Sequence, residues 1–267
     1  MHFLALLWSA SVAFASPYPY VSVNGCSGVL AAPPGRASTA PALVLTNGHC
    51  LDFRYLLGGD QPLPPAGAIY HDVTAPFFLN SILISVQASS GRESLPAARV
   101  IFTSMDGTDL ALIELNSSYA DIALRHGVAA APLSFGTPPP GSRVNIRAGY
   151  FNRDFTCELG EAVRIREGGY RWPDSLRLRR GCEIYPGVSG APVIAEASQA
   201  VFALANTHNS GSRAACSVHN PCEVDEEGNE RTGSLDQSYA VSLAPLAHCF
   251  NTAGEAKFAS APCPFRP

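Results

Sequence analysis

Short apolar runs of four to seven residues recur along this chain, separated by turn-forming residues. In the first half they fall at 28–31, 42–46, 82–86, 99–102 and 109–115. In the second half they fall at 143–148, 162–166, 175–178, 192–195, 201–207 and 238–243. Glycine- and proline-rich stretches at 33–35, 58–60, 62–67 and 89–91 punctuate them. Short, β-branched runs bounded by such turns predict antiparallel strands in a barrel or sandwich. Only Tyr119–His126 and the segment after Ala244 read as helical. Strands do not alternate with long helices, so a doubly wound α/β fold is not expected. The sequence Gly-Thr-Pro-Pro-Pro-Gly at 136–141 is the best internal boundary, because proline joins a strand ladder poorly. It predicts two all-β domains, 16–136 and 137–267.

Composition narrows this picture. The 267 residues are 46% hydrophobic, enough for a sizeable core. Only 15% are charged and the net charge is −4, which argues against a nucleic-acid or membrane-surface protein. Residues 3–14 are an apolar run too short to span a bilayer, followed by the small-x-small cleavage pattern Ala13-Phe14-Ala15. A signal peptide over 1–15 is expected, although it lacks Lys and Arg, and the mature chain is expected to be extracellular or periplasmic without a membrane anchor. Ten residues would then precede Cys26, leaving no room for a folded pro-domain.

The eight cysteines fit that oxidising setting. The simplest pairing joins neighbours in order: Cys26 with Cys50, Cys157 with Cys182, Cys216 with Cys222, Cys249 with Cys263. Many other connectivities are open. Cys216-x-x-His219-x-x-Cys222 has the look of a zinc half-site, but disulfide formation is the better reading, and no metal or cofactor is expected. Residues 223–231 read as an acidic surface loop rather than a calcium site. Arg164, Arg166, Arg171, Arg177, Arg179 and Arg180 read as solvated charge. Asn116-Ser117-Ser118 is a glycosylation sequon for a host that modifies it.

Three stretches carry chemistry. Gly187-Val188-Ser189-Gly190-Ala191-Pro192 sets a serine between glycines, where the backbone can turn tightly and leave the hydroxyl uncovered. That serine needs a base to take its proton. His49 follows the apolar run 42–46, and a histidine at a strand end can project into a cleft from rigid support. Asp109 leads directly into the apolar run that ends at Leu115. A carboxylate buried there needs a partner. An imidazole N–H is a natural one, since it fixes the tautomer of the base.

The order His, Asp, Ser, with 60 and then 80 residues between them, resembles the chymotrypsin-like (trypsin-like) serine proteases. Thr46-Asn47-Gly48-His49-Cys50, Asp109-Leu110-Ala111-Leu112, Gly187 to Pro192, and Cys26-Ser27-Gly28 carry the resemblance, which is closest to the secreted bacterial-type branch. It implies two six-stranded β-barrels with the site in the cleft between them and a short C-terminal helix. It implies catalytic roles for His49, Asp109 and Ser189, and an oxyanion hole from the Gly187 and Ser189 N–H groups. Glu183 falls near the expected floor of the specificity pocket. Asn206, Thr207 and His208 fall where the family pairs an edge strand with substrate backbone, and His208 is bulkier than the usual glycine.

Val188 stands where the animal digestive members have an aspartate that pairs with a newly cut N-terminus. Valine cannot make that pair, so no activation of that kind is expected. The implied activity is endopeptidase cleavage of a polypeptide substrate by a monomer. Two alternatives stand beside it. One is a non-catalytic secreted homologue acting as a binding module. The other is an α/β-hydrolase esterase using Ser189, Asp225 or Asp236, and His248.

Overall fold

The computed structural model describes residues 18–179, 182, 184–211 and 214–266. The proposed signal peptide, Arg180 and Glu183 lie outside the described residues. Two sheets, almost entirely antiparallel, make up the fold.

The first sheet contains β1 (Val21–Val23), β2 (Cys26–Ala32), β3 (Pro41–Thr46), β4 (Ile69–Val73), β5 (Ile84–Ala88), β6 (Gly91–Ser94), β7 (Ala97–Ser104), β8 (Leu110–Ser118) and β9 (Ala131–Pro132). Its order is β4-β7-β8-β3-β2-β1-β5-β6, with β9 parallel to β2. The second contains β10 (Arg143–Ala148), β11 (Arg153–Glu167), β12 (Tyr170–Leu178), β13 (Pro192–Ala195), β14 (Val201–His208), β15 (Cys222–Val224), β16 (Glu230–Thr232) and β17 (Ser238–Ser242). Here β10-β13-β14-β17-β12-β11 closes into a ring through β10–β11 pairing, and the β15–β16 hairpin hangs from β11. Six strands thus close the second barrel, and short edge strands bring the totals above six in each sheet.

Continuous apolar runs arise because several strands are buried on both faces. In β8, Ala111, Ile113 and Leu115 fill the core of the first sheet. Leu110 and Leu112 point the other way, into a core shared by the two sheets. β2 and β3 divide likewise: Leu30, Ala42 and Val44 face inward, and Val29, Leu43 and Leu45 face the shared core. The second sheet sends Ile194, Val201, Leu204 and Val241 into that joint, and Phe258 and Phe265 of the C-terminal segment stack on Phe102 there. Val144, Ile146, Val188, Val193 and Phe202 pack inside the second sheet.

The helix Tyr119–His126 is present, set by a capping box between Ser118 and Asp121. That box also engages the sequon's Ser118 beside exposed Asn116. The expected C-terminal helix is instead a 3-10 turn, Ala244–Cys249, which begins beside Pro245 and contains no long amphipathic run. Two short helices, Arg54–Leu57 and Pro76–Asn80, have too few residues to announce themselves by periodicity.

All four disulfides join neighbours in order. The sulfurs of Cys216 and Cys222 are therefore spent on each other rather than free to hold zinc. The acidic stretch 223–231 belongs to the β15–β16 hairpin, and its exposed turn at 225–229 is the expected surface loop. Glu223 pairs with Arg177, and Glu230 pairs with Arg166. Arg177 and Arg179 also reach Glu161, and Arg164 donates to the Val224 carbonyl. Glu223 and Glu230 of the acidic stretch are thus neutralised by arginines across the sheet.

Candidate active site

β3 delivers His49. The strand ends at Thr46, and the chain turns through the 3-10 segment Gly48–Cys50, pinned by the Cys26–Cys50 disulfide. The Asn47 side chain ties this turn to the start of β8 by donating to the Asp109 carbonyl at 2.8 Å. The turn and the carboxylate are thus fixed to each other before either side chain is considered.

The Asp109 side chain is fully buried, whereas the His49 ring is 23% exposed. One carboxylate oxygen accepts the His49 backbone N–H at 3.0 Å. The other lies 2.6 Å from His49 Nδ1. A carboxylate only accepts, so Nδ1 carries the proton and Nε2 is the free acceptor of the neutral ring. Burial pushes the imidazole pKa down, but the Asp109 charge and hydrogen bond, helped by the charge of Glu167, hold it above its ordinary value.

Ser189 sits in the turn leading into β13, at the seam between the sheets. Gly190 has φ +80°, and a Cβ there would lie 2.3 Å from both the Ser27 carbonyl and Thr46 Oγ1. The close approach of the first sheet therefore requires glycine. Gly187 has φ +101°, and a Cβ there would strike Phe151 and Tyr150. Among the described residues, neither the Gly187 nor the Ser189 N–H has an acceptor. Val188 is buried in the second core, so packing rather than an ion pair anchors this turn.

Ser27 is the second anchor. Its N–H donates to the Ser189 carbonyl at 2.8 Å, and its hydroxyl donates to the Gly187 carbonyl at 2.8 Å. The same hydroxyl accepts the Tyr150 N–H at 3.1 Å, and Ser27 is fully buried. Ser27 falls in the Cys26-Ser27-Gly28 motif, which by itself assigns it no role. No local pattern could have assigned one, because its partner lies 160 residues away.

The Ser189 hydroxyl donates to the Asn206 carbonyl at 3.1 Å. Asn206 falls at a register shift in β14, between Ala205 and Thr207. Such an irregularity re-aims backbone groups, here placing that carbonyl against the serine. β14 pairs with β13 only as far as Leu204, while Thr207 and His208 pair with β17 alone. Among the described residues, no strand pairs with the other edge of 206–208. His49, Ser189, Asn206, Thr207 and His208 line one cavity of about 460 Å³. Burial lowers the His208 pKa against the charge of Asp236, which favours a neutral ring. Glu183, the expected pocket floor, lies outside the described residues.

One acid at the site is not evident from the sequence. Glu167, the last residue of β11, lines the same cavity and is 4% exposed. Its only sequence signal is a carboxylate immediately before the turn-forming Gly168-Gly169. The all-β architecture removes the α/β-hydrolase alternative, which needs a doubly wound sheet.

The family described as trypsin-like peptidase domain matches residues 26–204. The chain is similar in fold to the MamO protease domain of Magnetospirillum magneticum, at 14% identity and TM-score 0.51, over 87% of this chain and 95% of that one. Kallikrein-related peptidase 10 aligns at 14% identity and TM-score 0.48, over 87% and 93%. Human heparin binding protein aligns at 15% identity and TM-score 0.48, over 86% and 88%. No curated protein sequence matches the chain.

Proposed function

We infer the function from one premise: the chain belongs to the trypsin-like peptidase family. It is a serine endopeptidase that works through an acyl-enzyme, with Ser189 as nucleophile, His49 as general base and Asp109 as the group that orients the base. The observation carrying this reading is the 2.6 Å contact between His49 Nδ1 and buried Asp109, in the cavity that Ser189 also lines.

The steps follow from the donor and acceptor roles. The Ser189 hydroxyl turns from the Asn206 carbonyl towards His49 Nε2, a bond that commonly tightens only when substrate is present. His49 takes its proton as Ser189 attacks the peptide carbonyl. The Gly187 and Ser189 N–H groups receive the developing oxyanion, and loss of one such donor typically costs about 10²–10³ in rate. Protonated His49 then gives its proton to the leaving amine, and water activated by His49 hydrolyses the ester. The free edge at 206–208 offers backbone groups to an extended peptide.

The setting belongs to the same reading. The leader 1–15 is removed, and the four disulfides suit an oxidising compartment. Among the described residues no helix is long and apolar enough to cross a membrane. The chain acts as a monomer built of domains 16–136 and 137–267, one around each sheet.

An organophosphonate probe tests the chemistry. Stoichiometric modification of Ser189, blocked in Ser189→Ala, is the expected result. Correctly folded protein that takes up no probe would leave a binding module as the function instead.

Ser27 gives a second expected outcome. Ser27→Ala leaves the Gly187 carbonyl and the Tyr150 N–H without their buried partner, at a stability cost of about 1–3 kcal/mol. The nucleophile turn is then freer to move, so kcat should fall roughly tenfold, less than the about 10²–10³ lost when an oxyanion donor is removed outright, while KM changes little. Thermal melting and steady-state kinetics measure the two effects separately. A change in KM alone would show that Ser27 does not hold the oxyanion turn.

A further inference from the structure

Glu167 is a buried acid with unfinished bonding. One carboxylate oxygen accepts the His219 N–H at 2.8 Å. The other, Oε2, is buried and makes no close hydrogen bond, with only the Thr207 hydroxyl near enough to favour its charge. A buried acceptor left without a donor is costly, and native structures rarely keep one without a use. Asn206 Oδ1, on the wall of the same cavity, is likewise buried and unpartnered.

The surroundings indicate what is missing. No described residue lining the cavity is Lys or Arg, and Glu167 is the one carboxylate among them. Leu63, Met105, Trp172 and Val218 give the cavity apolar walls. Trp172 is held in place by its indole N–H, which donates to the Met105 carbonyl at 2.7 Å. Burial holds the Glu167 pKa above its ordinary value, so a cation that pairs with the carboxylate would restore its charged form. An apolar wall ending at such a carboxylate fits a side chain with an aliphatic stem and a cationic head. Lys and Arg are such side chains, and Arg brings several donors to two acceptor oxygens.

We propose that Glu167 is a specificity-determining residue, selecting peptides that place an Arg or Lys side chain in this cavity beside Asn206. This deepens the peptidase reading and rests on it for the identity of the ligand as a peptide. Glu167 reaches the cavity from β11, whereas Glu183 belongs to the segment just before the nucleophile turn, so the two acids can be tested apart.

Binding to the full chain carrying Ser189→Ala isolates recognition from turnover. Peptides of one sequence are compared with arginine or its neutral isostere citrulline at each of the four positions preceding the scissile bond. At one position the arginine peptide should bind at least tenfold tighter. Adding Glu167→Gln should remove that difference, because glutamine keeps an acceptor for the His219 N–H and loses only the charge. Adding Glu183→Gln should leave it in place. Equal binding of arginine and citrulline peptides in the parent would overturn the proposal. So would discrimination that survives Glu167→Gln or disappears with Glu183→Gln. Should Glu167→Gln fail to fold, the arginine–citrulline comparison still decides against the proposal if it shows no difference, and a difference that survives Glu183→Gln supports it. Probe labelling of Ser189 separates the two readings: intact arginine discrimination without labelling would sink the peptidase chemistry and leave Glu167 as a recognition residue.

Discussion

Ser189→Ala is expected to lower peptide turnover about 10⁶-fold, leaving only what binding and the oxyanion donors supply. The size follows from the proposed chemistry, because no other side chain in the turn can form the ester. The fold should hardly notice. The hydroxyl makes one hydrogen bond, to the Asn206 carbonyl, and the residue is only partly buried. Melting should therefore move by no more than the roughly 1 kcal/mol typical of one hydrogen bond. His49→Ala should lose nearly as much activity, and the double variant no more than either alone, since nucleophile and base act as a unit. Steady-state assays on the three variants measure this. Losses that multiply in the double variant would show that the two residues work in separate steps.

What could be read from the sequence is what is encoded locally. Each proposed triad residue lies at the end of an apolar run or inside a glycine turn, so a short window displays both the residue and its support. β3 and β8 announce themselves because alternate residues feed two cores, which makes the runs apolar throughout. β11 is harder. It spans 15 residues, but only its stretch at 162–166 stands out by pattern, because exposed polar positions interrupt the rest. In the acidic segment 223–231 only the loop is legible, because Glu230 and Glu223 are satisfied by Arg166 and Arg177, nearly fifty residues or more distant. Ser27 and Glu167 share this difficulty. Their importance lies in hydrogen bonds, or in the lack of one, made across the fold.

The substitution at Val188 links these observations. With an apolar residue there, the nucleophile turn is held from inside by the second core and from outside by Ser27. Both anchors exist as soon as the two sheets meet. For the proposed peptidase, a turn held this way would need no newly cut N-terminus to order it.

Asp109→Asn should lower kcat/KM about 10⁴-fold, the loss expected when the base is held in the wrong tautomer. The carboxylate serves two donors at once: the His49 N–H at 3.0 Å and His49 Nδ1 at 2.6 Å. An asparagine amide has one oxygen and one NH₂ group, and neither orientation serves both. If the NH₂ faces Nδ1, the ring must put its proton on Nε2, which can then no longer accept from Ser189. If the oxygen faces Nδ1, the NH₂ opposes the backbone N–H and the buried turn is disturbed. The charge matters as well. In the parent, burial lowers the His49 pKa, but the Asp109 charge and hydrogen bond together with the Glu167 charge hold it above the ordinary imidazole value. The acid limb of the kcat/KM profile, where His49 gains a proton and ceases to be a base, should therefore lie above that value. Asparagine removes the charge while burial remains, so the limb should move to lower pH even as the plateau collapses. A pH–rate profile of the two proteins reads both changes. A limb that stays in place in Asp109→Asn would mean that the Asp109 carboxylate does not govern the protonation of His49.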